Sequence, residues 1–60
     1  MKEFQMISYN SKGKQIAYDY ASHTEQAYHI ASLMFVQDNA AMVKIFMSGL
    51  NDPIAKMEKN

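Results

Sequence analysis

The apolar positions of this chain change period twice, from alternation to a helical spacing and back. Residues 3–9 (EFQMISY) and 14–20 (KQIAYDY) are rich in aromatic and branched side chains and flank NSKG, a turn signal. Together they predict a β-hairpin. With Ser11, Lys12 and Gly13 as a three-residue loop and Gly13 left-handed, Asn10 faces Lys14. Phe4 then faces Tyr20, Met6 faces Tyr18 and Ser8 faces Ile16 on one side. Gln5–Asp19, Ile7–Ala17 and Tyr9–Gln15 pair on the other. A four-residue loop would scatter the apolar set, because a one-residue slip turns every side chain to the opposite face.

The stretch from Ser22 to Gln37 has a different rhythm. Ala27, Ile30, Ala31, Met34 and Phe35 recur at the spacing of a helix face. Ser22 and Glu25 match a capping box at its start. The apolar arc is wide, from Leu33 through Ile30, Met34, Ala27 and Ala31 to Phe35 and Tyr28. Only Glu25, His29, Ser32 and Val36 face clearly outward, so one small sheet cannot cover the whole helix.

Residues 41–47 (AMVKIFM) return to a strand pattern, with Ala41, Val43, Ile45 and Met47 on the face towards the helix. Asp52-Pro53 reads as an N-cap and first helical residue, opening a short C-terminal helix through Lys59. Its apolar residues are Leu50, Ile54 and Met57. The expectation is a single α+β domain over residues 1–60 in the order β-β-α-β, a three-stranded sheet of order 2-1-3 under one helix. The crossover should be right-handed. Tyr18, Ile30, Met34, Val43 and Ile45 should form the centre of the core.

Size sharpens the problem of stability. A 60-residue chain buries only about 60% of its unfolded surface, and here there is no cysteine for a disulfide or a Cys-based metal site. Oligomerisation is the remaining support, so a homodimer is expected. Six lysines balance six acidic residues, which disfavours a domain built to neutralise phosphates. No window approaches a membrane span, and MKEFQMISY has no long apolar centre, so a soluble cytoplasmic protein is the expectation.

Candidate chemistry adds little. His23 and His29 are six residues apart and fall on different helix faces, so they make no two-His metal grip. Glu25 and His29 are neighbours on the helix, a pairing typical of a solvated surface. The serines have no acid–base partner at a recognisable spacing, and Gly13 and Gly49 have turn roles rather than a phosphate-loop pattern. No enzyme, cofactor or small-molecule substrate is expected. Among the six methionines, Met42 and Met57 are left over from the core.

What remains is the sheet face away from the helix, with Ile7, Tyr9, Met42, Lys44 and Phe46, and a tail carrying Leu50, Ile54 and Met57. Soluble monomers rarely leave a large contiguous apolar patch wet. These eight residues are the candidate partner or dimer interface. Phe46 or Tyr9 would lie near the two-fold axis if faces stack, and Val43 to Ile45 if edges pair. Lys44 speaks against edge pairing. The order of hairpin, alanine-rich helix and return strand is similar to that of many short bacterial and phage proteins, a likeness that assigns no residue a role. The expected function is a non-enzymatic protein-binding module, a homodimeric inhibitor or regulator of phage or mobile-element type. The alternative is a small nucleic-acid-binding regulator that stacks bases on the open sheet.

Overall fold

The computed structural model describes residues 3–59. Its elements are β1 (Phe4–Tyr9), β2 (Gln15–Ala21), α1 (Thr24–Gln37), β3 (Met42–Met47) and β4 (Ala55–Glu58). The strands form one sheet of order β2-β1-β3-β4, with every neighbouring pair antiparallel. The protein is thus a small α+β fold with one helix on a four-stranded sheet. The expected order 2-1-3 is present, with a fourth strand added to it.

The hairpin turn follows from Asn10 and Gly13. The Asn10 N–H donates to the Lys14 carbonyl at 2.8 Å, and the Gly13 N–H donates to the Asn10 carbonyl at 2.9 Å. The Asn10 side-chain oxygen accepts from the Lys12 and Lys14 N–H groups at 2.9 and 3.0 Å, a side-chain imitation of a turn. Gly13 has φ +80°, where a β-carbon would be strained. Tyr9 therefore lies opposite Gln15, as the loop length requires.

Beyond that pair the register differs from the expectation. A bulge lets Ser8 face Ala17, so that Ile16 is the extra residue. Ile7 then faces Tyr18, Met6 faces Asp19, Gln5 faces Tyr20 and Phe4 faces Ala21. Every β2 side chain after the bulge is turned over. Tyr18, expected at the core's centre, is 58% exposed on the far face. The physical reason lies in the helix: Ala27 and Ala31 are fully buried and bring its backbone close to the sheet. Ala17 and Ala21 fit beneath it where Tyr18 and Tyr20 would not.

The core consists of Phe4, Met6, Ala21, Ala27, Ala31, Met34, Ala40, Val43 and Ile45, with Ile30 and Phe35 only half-buried at its flanks. Met6 and Met34 fill the irregular space between strand and helix. Ser8 is wholly buried among them; its hydroxyl lies 3.3 Å from both the Ala17 carbonyl and Asp38 Oδ2, and its proton serves one acceptor at a time.

The helix begins one turn position later than the capping box implies. β2 runs to Ala21, His23 is the N-cap, and the Ser22 N–H donates to Gln26 Oε1 at 3.2 Å instead of to Glu25. At the other end Asn39 adopts φ +51°, the left-handed conformation that stops a helix.

The C-terminal helix is replaced by β4. Its sequence alternates, placing Ala55 and Met57 towards the core and Lys56 and Glu58 away from it. A helix with three apolar groups gains little from packing, whereas a strand satisfies the free edge of β3. Ile45 accepts from the Ile54 N–H at 2.8 Å, and the Lys59 N–H reaches Ala41 at 3.0 Å. The Lys59 ammonium also donates to Asn39 Oδ1 at 2.6 Å. Val43 to Ile45 are therefore interior to the sheet, and pairing of β3 edges between two copies is closed off.

Candidate interaction face

The sheet face away from α1 is built in three rows by the strand registers. Tyr20, Gln5 and Phe46 form the first row; Tyr18, Ile7, Lys44 and Lys56 the second; Tyr9, Met42 and Glu58 the third. Ile16, the unpaired residue at the bulge, is 44% exposed. Among the described residues no element packs over this face. It carries three tyrosines and a phenylalanine around Ile7 and Met42.

The polar groups are few and arranged around the aromatics. The Lys44 ammonium lies 5.2 Å from the centre of the Tyr9 ring, within cation–π range. Tyr18 and Tyr20 meet edge to face, 5.7 Å between centres at 79°. Gln5 Nε2 donates to the Tyr20 hydroxyl at 3.3 Å. Lys56 and Glu58 form an exposed ion pair of 2.8 Å on β4. Hydrogen bonding and attraction to Lys56 hold the Glu58 carboxyl below its ordinary range, and the same contact raises Lys56. At one end Gln5, Ile7, Tyr20, Phe46 and Leu50 surround an open hollow of about 360 Å³.

Five of the expected interface residues, Ile7, Tyr9, Met42, Lys44 and Phe46, share this face. Leu50 lines its end, and Ile54 precedes β4 and is 39% exposed. Met57 lies on the opposite side of the sheet, opposite Val43 and against the core. Tyr18, Tyr20 and Lys56 belong to the face and were assigned elsewhere by the sequence pattern. The signal for the tyrosines is the alanine-rich helix stripe, which demands small residues beneath it; Lys56 follows once residues 55–58 alternate as a strand.

Both edges of the sheet are blunted. On β2 the bulge distorts one end, and Asp19 Oδ1 accepts from the Tyr20 N–H at 2.8 Å on the strand itself. The other edge, β4, is four residues long, charged at Lys56 and Glu58, and preceded by Pro53. These are devices that discourage strand addition. The face, rather than an edge, is the surface left open.

His23 and His29 are exposed, and among the described residues no three His, Asp or Glu groups are placed to hold a metal ion. Nor is any described helix long and apolar enough to cross a membrane. No protein-family model, curated protein or solved structure matches the chain.

Proposed function

We propose that the protein is a non-enzymatic, homodimeric protein-binding module, an inhibitor or regulator of phage or mobile-element type acting in the cytoplasm. One observation carries this reading. Tyr18 and Tyr20, turned over by the bulge in β2, join Ile7, Tyr9, Met42 and Phe46 on a face that no described element covers. Aromatic residues around an apolar centre are the usual anchors of protein interfaces. The blunted edges direct association to that face.

Affinity capture from a host lysate, run in parallel with a folded Phe46→Lys variant, tests the reading. A partner retained by the wild type and lost by the variant supports it. Equal retention by both places binding elsewhere and defeats it.

A second reading, a small regulator that binds single-stranded nucleic acid, is favoured by the same tyrosines together with Lys44 and Lys56. Bases stack on aromatic rings while ammonium groups meet phosphates. The aliphatic share of the face and the balanced charge place it second. Anisotropy of a labelled oligothymidine at low salt separates the two: binding that weakens steeply with salt supports the nucleic-acid reading, and its absence removes it.

A further inference from the structure

We infer that the hollow at the end of the open face binds an arginine side chain presented by a different protein. This rests on the reading of that face as a protein-association surface and adds the chemistry the partner must supply.

Strand periodicity and one turn build the walls. Glu3 and Gln5 are two residues apart, so both stand on the face away from the helix, and both line the hollow. The Ser48 N–H donates to the Glu3 carbonyl at 2.7 Å, carrying the β1–β3 pairing one step past Phe4 and Met47. The chain then turns back. The Leu50 N–H donates to the Met47 carbonyl at 3.1 Å, and Gly49 holds φ +87°, as the third residue of a type II turn requires. Leu50 is thereby set at the rim. Backbone hydrogen bonds fix these walls before any ligand arrives, which lowers the cost of binding.

The contents of the hollow are two rings, one amide oxygen and one charge. Tyr20 and Phe46 flank Gln5 in a single row. Gln5 Nε2 donates to the Tyr20 hydroxyl at 3.3 Å, which leaves Gln5 Oε1 to accept from an incoming donor. Glu3 is the one charged residue of the lining, and among the described residues no cation pairs with it. The lysines of the face are engaged elsewhere. Lys44 lies 5.2 Å over the Tyr9 ring, and Lys56 is paired with Glu58 at 2.8 Å.

This set calls for a flat cation with several donors. A guanidinium stacks on aromatic faces, and its five N–H groups can serve Glu3 and Gln5 Oε1 together. A lysine ammonium is a compact, strongly hydrated charge that uses the rings less well. A phosphate or carboxylate would meet the Glu3 carboxylate and be repelled. The volume of about 360 Å³ lies at the low end of the roughly 300–1,000 Å³ typical of ligand sites, which suits one side chain. All six basic residues of this chain are lysines, so the arginine comes from another protein.

NMR titration of the labelled protein with a capped arginine amide tests the site. Signals of Gln5, Tyr20, Phe46 and Leu50 should shift and saturate with a Kd on the order of millimolar. Capped citrulline keeps the shape and loses the charge, and should bind about five-fold or more weakly. Glu3→Gln, checked for folding by circular dichroism, should weaken arginine about two- to five-fold and leave citrulline unchanged. Absence of saturable shifts, equal binding of citrulline, or unchanged arginine affinity in Glu3→Gln overturns the site. A partner held equally by the wild type and Glu3→Gln but lost by Phe46→Lys also overturns it, and leaves the protein-association reading standing.

Discussion

Replacing Ile45 with alanine tests the packing on which the face depends. Ile45 is 1% exposed, lies between Met6 on β1 and Ala55 on β4, and belongs to the cluster beneath Ala27, Ala31 and Met34. The substitution removes three carbons, a transfer loss of about 2.4 kcal/mol at ~0.8 kcal/mol per methylene. The alanines above cannot lengthen to fill the space, so a cavity raises the cost towards ~4 kcal/mol. A 60-residue domain at ~0.05–0.15 kcal/mol per residue holds only about 3–9 kcal/mol in total. Ile45→Ala should therefore cost about 2.4–4 kcal/mol, at least a quarter of the total stability, measured by urea denaturation followed by circular dichroism. Ile16→Ala, at the exposed bulge, is the internal comparison and should cost less than about 1 kcal/mol. The registers would be refuted if Ile45→Ala cost under 1 kcal/mol or if the two variants were equally damaged.

Other outcomes follow from the same structure. Gly13→Ala should lower stability by about 1 kcal/mol through its positive φ alone, since no atom lies within 4 Å of the added carbon; an unchanged melting temperature would contradict the loop geometry. Ser8→Ala should cost about 1 kcal/mol by removing a buried hydroxyl bond, and a stabilised variant in thermal melts would show that this bond contributes nothing. In an NMR pH titration Glu58 should titrate below an ordinary glutamate and return to the ordinary range in Lys56→Met. Because the folded state lowers this pKa, the small stabilisation is present above the ordinary carboxylate range and fades as pH falls through the lowered value. Identical titration in both proteins would rule the pairing out.

The sequence carried the α+β class, the helix and the first three strands, because strong periodicity marks these elements over many residues, and the crossover rule ordered those three strands; the fourth strand was not foreseen. It also carried the hairpin loop, since Asn10 and Gly13 have specific turn chemistry. The bulge was not legible in the same way. Alternation predicts a face only while pairing is regular, and one extra residue at Ile16 reverses everything downstream in β2. Tyr18 and Tyr20 exchanged places with Ala17 and Ala21 for that reason, which enlarged the candidate face. Residues 55–58 misled through Asp52-Pro53, a local helix-start signal overridden by the open edge of β3. Ile7, Tyr9, Met42, Lys44 and Phe46 share the far face as expected because β1 and β3 pair without a bulge; Met57 lies on the core side because its expected place depended on a C-terminal helix that is a strand.

The central claim, that the open sheet face is where this protein associates, is tested most directly by an NMR dilution series on the wild type. Amide shifts of Ile7, Tyr9, Tyr18, Lys44 and Phe46 should move together with concentration through the micromolar range. Those of Glu25, His29 and Ser32 on the outer helix face should stay fixed. Shifts independent of concentration across the sheet, or changes confined to the helix, would contradict the account.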